Sequence, residues 1–309
     1  MNGVTGETPA ARVTALSTYP IKSCAAVPLT EARVTPRGLE LDREFMLIDE
    51  DDDFVSQRKV PELALVVPVI GERSISLTAT GMEAIEVPRA FEPDDRAVVT
   101  ATVHARPVVG QLVGRELDEW FTELLPPYKG GKRFRLLRVR ADVPGYIKER
   151  YRKPQASNEV GFADGTAMLL ASEPSLARLA AELEQPIPMN RFRANVVVDG
   201  AALEPYDEDH WRELRIGALH AFVVKACDRC VVPDVDQATA VVGKDVRRAL
   251  RARKGVNAYD ESNKGVFFAQ GLNHVYEPGV VVRLGDPVEV LARSARPNVR
   301  LGVGDRACV

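Results

Sequence analysis

The sequence predicts a mainly β protein: a barrel with α additions, preceded by a smaller N-terminal region. Three observations carry this reading. Strand-like segments outnumber helical ones. They lie in adjacent pairs rather than alternating with helices, as a parallel βαβ sheet would require. Neither a Gly-x-Gly-x-x-Gly turn nor a Walker-type phosphate loop opens a doubly wound domain. A length of 309 residues suffices for two ordinary domains or one barrel with insertions.

Residues 1–12, rich in Gly, Thr, Pro and Ala, read as a flexible tail. Strand patterns follow at Val13–Tyr19, Val27–Val34, Phe45–Ile48, Phe54–Gln57, Ser74–Thr78 and Val98–His104. Pro36 and Gly38 mark a turn, and Glu50–Asp53 a polar hairpin loop. Leu112, Val113, Leu117, Phe121 and Leu124 share one face of a helix expected over Gln111–Leu125, which Pro126-Pro127 stops. After a strand at Phe134–Val139 comes a polar stretch with Lys148, Arg150, Arg152 and Lys153 interleaved with Tyr146 and Tyr151. It is either a solvated loop or a lid over an anionic ligand. Ser172-Glu-Pro-Ser175 starts a helix with Leu176, Leu179 and Leu183 inward. Strands are expected at Ala194–Val198, Leu214–Ile216 and Leu219–Val224, a short basic helix at Lys244–Lys254, a strand at Phe267–Gln270 and a closing hairpin from Gly279 to Leu291. The division is then 13–140 for the N-terminal region, its first strands free to join the barrel, 141–158 for a loop or linker, 159–295 for the barrel and 296–309 for a C-terminal tail.

Composition bounds the function. Apolar residues make up 45% and charged residues 28%, which describes a soluble globular chain with a sizeable core. No apolar run approaches the roughly 20 residues of a membrane span, and the first residues lack the regions of a secretory signal. Four scattered cysteines suggest reduced thiols and a cytoplasmic setting rather than a disulfide framework. A net charge of −3 gives no nucleic-acid signal.

Chemistry concentrates at Cys227-Asp228-Arg229-Cys230, which follows the apolar run Ala221–Lys225. A thiolate suits soft or high-valent metals, and a neighbouring guanidinium favours its ionised form. One Cys-x-x-Cys leaves three options: half a zinc site, a redox dithiol, or two inert cysteines. Zinc wants a second Cys or His pair, and His104, His210, His220 and His274 form none at ligand spacing. A thioredoxin-type dithiol wants a helix start, which Val231-Val-Pro-Asp-Val-Asp236 is not. Four further segments gather polar residues at strand edges: Tyr19–Cys24, Gly38–Phe45, Asp164–Ala167 and Asn190–Asn195. They bring Lys22, Arg43 and Arg193 together with hydroxyl, amide and backbone donors, an inventory for a phosphate-bearing ligand.

In this order, Tyr-Pro-Ile-Lys-Ser-Cys, Gly-Leu-x-x-Asp-Arg, Asn-Arg-Phe-Arg-x-Asn and Cys-x-Arg-Cys-x-x-x-x-Val-Asp-x-x-Thr resemble the MOSC proteins with an N-terminal MOSC extension, the type of the mitochondrial amidoxime reducing components and their bacterial counterparts. The likeness runs from about Val13 to Leu291. It implies a MOSC β-barrel plus a smaller α/β N-terminal MOSC-type domain, and a molybdenum cofactor in which a phosphate-bearing pterin (molybdopterin) holds the metal. Cys230 would be the metal ligand and Cys227 structural. Lys22, Ser23 and Arg43 would grip the phosphate, so that losing Arg43 would cost cofactor more than fold. Asp164, Thr166, Arg193 and Asn195 would line the pterin. Asp236 is a candidate for proton delivery or substrate orientation, against the ordinary role of a turn aspartate. Pro233 and Asp234 stand where relatives often carry hydroxyls near the metal, and Gly165 where they often carry Thr.

The function implied is reduction of N-hydroxylated compounds such as hydroxylamines, amidoximes and N-hydroxy bases. With no ferredoxin-type cysteine cluster, hence no intrinsic iron–sulfur cluster, electrons would come from a separate ferredoxin- or flavoprotein-like protein. No nucleic-acid or membrane partner is expected. The competing readings are a carrier of molybdenum cofactor or sulfur, and a cofactor-free scaffold.

Overall fold

The computed structural model describes residues 11–104, 106–252 and 266–298. The expectations for residues 1–10, for 299–309 with Cys308, and for the end of the basic helix at 253–254 lie outside them.

Seven strands close a barrel. Their order is Val196–Asp199, Met168–Ser172, Phe267–His274, Leu219–Asp228, Trp211–Ile216, Pro287–Arg293 and Ala11–Thr18, the last pairing back on the first. All neighbours are antiparallel except Met168–Ser172 and Val196–Asp199, which are parallel and joined by a crossover containing a helix. The N-terminal strand is the closing stave: Ala11, Val13, Leu16 and Thr18 are buried while Arg12 and Thr14 face out. Leu16, Leu170, Trp211, Leu214, Ile216, Val223, Leu272 and Val288 fill the interior. The closing strand therefore belongs to the barrel core, although more than a hundred residues separate it from the next stave.

Those intervening residues form the N-terminal region. Phe45–Ile48, Arg135–Val139, Arg106–Leu112 and Val98–Val103 make one antiparallel sheet, and Val67–Ile70, Ser74–Thr78 and Ile85–Pro88 a second. Helix α1 (Arg115–Leu124) puts Leu117, Trp120 and Phe121 into the core shared with Phe45, Leu47, Phe134 and Leu136. Helices α2 (Glu173–Leu183) and α3 (Asp245–Ala252) pack outside the barrel around Phe192 and Phe268. Ser172 caps α2 as its sequence suggests, accepting from the Ser175 N–H.

Several boundaries differ from expectation. The helix expected from Gln111 begins at Arg115, because Gln111 and Leu112 still pair with Arg138 and Leu137. Val27–Val34 breaks at Thr30, where the chain leaves the barrel strand and pairs instead with Val281–Arg283 and Gly38–Leu39. Phe54–Gln57 is no strand: Phe54 makes one bridge to Ile48, and the Ser56 carbonyl then accepts from Lys59 and Val60 in a turn. Met168–Ser172 is buried at every position, so it shows no alternation to read.

Candidate functional site

The barrel and the N-terminal region meet at a cleft. After Thr18, Pro20 ends the closing strand and the Lys22 N–H donates to the Phe45 carbonyl at 2.7 Å. Ser23 and Arg43 then take left-handed backbones, with φ of 73° and 49°. Both turns aim side chains at the barrel. Lys22 Nζ donates to the Phe162 carbonyl at 2.9 Å and pairs with Asp164. Burial pushes the Lys22 ammonium down, and Asp164 pulls it back. Burial likewise works to raise the Asp164 carboxyl. Lys22 and His104 outweigh it and hold that carboxyl well below the usual carboxylate range, although half of the side chain faces the cleft.

Arg43 is built in rather than dangling. Its guanidinium pairs with the buried Asp42, donates to Asn195 Oδ1 at 2.9 Å and to the Arg193 carbonyl at 3.1 Å, and lies 4.4 Å from the Tyr19 ring centre. Arg193 sits 4.2 Å from the same ring and donates to the Cys24 carbonyl at 2.7 Å. Its Nη2 is buried without a hydrogen-bond partner among the described residues. Burial lowers the Arg193 guanidinium to about 10, which leaves it charged at neutral pH. Asn195 is fully buried and spends its amide on protein: Oδ1 also accepts from the Leu169 N–H, and Nδ2 donates to Asp42 and to the Ser17 carbonyl. It holds Arg43 and Asp42 in place from behind.

The cysteine pair rides on an irregular strand. Leu219–Asp228 shifts register against Phe267–His274 between Val223 and Lys225 and again between Ala226 and Asp228, the kind of bulge that re-aims a chain beside a site. Cys227 and Cys230 both line the cleft as free thiols. The adjacent guanidinium favours the first: Arg229 Nη1 donates to Cys227 Sγ at 3.0 Å and Nη2 to the Phe192 carbonyl. Burial raises the Cys230 thiol, against the pull of the Val232 N–H and Arg229.

Lys22, Ser23, Arg43, Asp164, Thr166, Arg193, Asn195 and Cys230 all line this one cleft. Asp236 does not. Its carboxylate pairs with Arg191 at 2.6 Å and accepts from the N–H groups of Ala238 and Thr239, the ordinary work of a turn aspartate. Asp234 also turns away: buried, it accepts from the Arg247 N–H and pairs with the Arg247 side chain, anchoring α3. Of the residues just after Cys230, the cleft takes Val232 rather than Pro233 or Asp234. Those two substitutions therefore bear on the packing of α3 rather than on the cleft wall.

Sequence reading missed Phe54, Arg58 and His104, which reach the cleft from the N-terminal region. His104 Nε2 lies 3.3 Å from Asp164, and its ring stands edge-on to Phe54. The available signal was weak, a histidine ending a predicted strand. From the basic stretch 141–158, Lys148, Arg150 and Tyr151 join the lining. In all, eight Lys and Arg side chains face two carboxylates, Asp164 and Asp228. The cleft is built for an anion.

Comparison with known proteins agrees with the two-part architecture. Residues 10–127 match the MOSC N-terminal beta barrel domain and residues 157–289 the MOSC domain. The chain is 28% identical, over 91% of its length, to mitochondrial amidoxime-reducing component 1 of Xenopus laevis, and covers 82% of that protein. It is 31% identical, over 89% of its length, to mitochondrial amidoxime reducing component 2 of Bos taurus, again covering 82%. It is also 29% identical, over 78% of its length, to molybdenum cofactor sulfurase of Bos taurus, of which it covers 29%.

Proposed function

The chain belongs to the MOSC family, in the form with an N-terminal MOSC domain, and we propose that it is a molybdenum cofactor-dependent reductase of N-hydroxylated compounds. Its substrates are hydroxylamines, amidoximes or N-hydroxy bases, and its electrons come from a separate ferredoxin- or flavoprotein-like protein. The relatives named amidoxime-reducing components support this class of substrate.

One observation carries the reading: a thiol, Cys230, shares a cleft with eight cations, among them Arg193 and Arg58 with buried nitrogens left unpaired among the described residues. Arg193 Nη2 and Arg58 Nη1 are buried with no partner among the described residues. A buried donor left unpaired costs about 1–3 kcal/mol, more when charged. An anionic ligand with several acceptor oxygens would remove that cost. Such a donor set fits a phosphate-bearing pterin, with Lys22, Ser23 and Arg43 toward the phosphate and Asp164, Thr166 and Arg193 toward the pterin.

When bound, the cofactor supplies two-electron redox chemistry at molybdenum. The chain's part is to hold and orient. Cys230 would give the metal its thiolate, losing its proton on binding, so loading should weaken at acid pH. Asn195 keeps Arg43 aimed, and Gly271 leaves room for Thr166, whose Cγ2 would lie 2.7 Å from an added Cβ. No described helix is long and apolar enough to cross a membrane. The free thiols of Cys24, Cys227 and Cys230 suit a reducing compartment, in this reading the cytoplasm.

Similarity to a molybdenum cofactor sulfurase favours a second reading, in which Cys230 carries the cofactor or a persulfide without turnover. A three-arm assay separates the two. Cofactor-loaded protein is given benzamidoxime with a chemical reductant, with NADH alone, or with NADH plus a flavoprotein and a ferredoxin-like carrier. Turnover in the first and third arms but not the second is expected. Silence in all three, with a stable persulfide on Cys230, would establish the carrier.

A further inference from the structure

We propose that His104 is the proton donor of the cleft, a catalytic acid held ready by Asp164. The inference rests on the reductase reading. Converting R–NH–OH to R–NH₂ and water breaks the N–O bond and takes two electrons, here from the external reductant. It also takes two protons, one ending on nitrogen and one on the departing oxygen. The cleft that binds an anion with eight cations still has to deliver those protons.

Among the described lining residues, His104 contributes the one imidazole, the side-chain type that exchanges protons near neutrality. Three ionisable neighbours in the lining are committed elsewhere. Asp164 is held as an anion by Lys22 and His104, and burial raises the Cys230 thiol, which the metal would occupy. Lys22 is tied to Asp164 and to the Phe162 carbonyl.

The surroundings of His104 are those of a positioned group. It ends the strand Val98–Val103 in a left-handed conformation, φ 49°, which a non-glycine residue adopts at a cost and which clusters at functional sites. Its side chain is 7% exposed. Phe54 stands edge-on with ring centres 5.1 Å apart. Arg58 Nη2 lies 3.2 Å and 3.5 Å from the two ring nitrogens. The nearer nitrogen is Nε2, and which of the two accepts from Arg58 depends on the tautomer. Asp164 Oδ1 faces Nε2 at 3.3 Å, the geometry in which a proton on Nε2 would be donated to Asp164. That contact is long for a charge-assisted bond, so Nε2–H can turn to a substrate oxygen while Lys22 keeps Asp164 in place. The groups acting on the imidazole are thus Asp164 and Arg58, with Lys22 and Arg106 acting on Asp164 behind them.

The test compares loaded wild type, His104→Gln and His104→Gly with a chemical reductant and benzamidoxime from about pH 5 to about pH 9. General acid catalysis predicts a fall in kcat of about a hundredfold or more, with KM and molybdenum content within a factor of about two. Glycine suits the backbone at this position, and added imidazole should restore part of the His104→Gly rate. Independently of turnover, nitrogen NMR of the cofactor-free protein should show His104 as the Nε2–H tautomer, loosened in Asp164→Ala. Unchanged kcat in His104→Gln, a rate loss matched by lost molybdenum, or an Nδ1–H tautomer would each overturn the proposal. A wild type inactive on every N-hydroxylated substrate would instead remove the reductase reading, and this inference with it.

Discussion

Replacing Arg43 by Ala should damage the protein twice, and the two losses can be measured apart. The family resemblance implies that Arg43 grips a phosphate, its loss costing cofactor more than fold. The structure makes it a structural ion pair as well. Its removal leaves Asp42, 4% exposed, with the Tyr19 N–H, Asn195 Nδ2 and the Thr18 hydroxyl as donors. It also takes the guanidinium from the Tyr19 ring 4.4 Å away. Breaking a buried pair by removing one partner costs about 3–5 kcal/mol; the Arg43 side chain is 13% exposed, so the lower end applies. For a chain of this size that is a fall in melting temperature of roughly 6 °C in the cofactor-free protein. Losing one charge-assisted contact to the cofactor costs a further 1.5–3 kcal/mol or so, about tenfold to a hundredfold in affinity. Calorimetry of cofactor-free protein reads the first loss, and molybdenum retained through dialysis reads the second. Adding Asp42→Asn to Arg43→Ala should recover part of the stability, because no buried charge is then left unpaired. A cofactor-free Arg43→Ala protein melting within about 1 °C of wild type would refute the structural half of the argument, and full retention of cofactor the other half.

Cys230→Ser should abolish molybdenum-dependent turnover while Cys227→Ser keeps much of it. A hydroxyl is a poor soft ligand, but at position 227 it can still accept the Arg229 hydrogen bond seen at 3.0 Å. Equal and complete loss in both folded variants would point to a two-cysteine metal site. Away from the cleft, Glu208 is buried against the hydroxyls of Ser172 and Ser175, and burial with Asp209 nearby raises its carboxyl to about 7. Its folded value lies above the unfolded one, so the folded state holds the extra proton and stability falls as pH rises from about 4.5 to about 7, by about 3 kcal/mol. Melting curves of Glu208→Gln across that window should be flatter than those of wild type, and parallel curves would sink the assignment.

The parts legible in the sequence share a cause. Gly38, Arg43, Arg193 and Cys230 each occupy a position where the backbone or the chemistry tolerates few alternatives. Gly38 has φ 111° and presses on the Ala167 carbonyl so closely that a Cβ would collide with it; Arg193 needs a left-handed turn to enter the cleft. Such residues stay recognisable as short motifs. His104 and Arg58 escaped because neither belongs to a motif, and their meaning arises only when two separate segments meet at the cleft. Asp236 shows the reverse failure. Its motif is visible, but its side chain is committed to Arg191 and a turn, which spacing cannot reveal. Met168–Ser172 was missed as a strand because burial on both faces erases the alternation that marks one.

The path of the chain explains why these distant loops meet. The closing strand Ala11–Thr18 is locked between Val196–Asp199 and Pro287–Arg293, so Tyr19–Cys24 must leave the barrel at its rim. There Tyr19 is buried between barrel and N-terminal region, its hydroxyl on the Ala194 carbonyl and its ring against Arg43 and Arg193. Lys22 reaches Asp164 from the same segment, and the Ser23 carbonyl accepts from Gln57, whose amide also pairs with Gln237 in the loop after Cys230. One short segment thus touches the cations Arg43 and Arg193, the carboxylate that faces His104, and the loop that follows the thiol. A cleft assembled this way depends on the barrel being closed by that strand. The N-terminal region and the MOSC barrel therefore have to fold together for the cleft to exist, since neither half carries all of its cations or both His104 and Cys230.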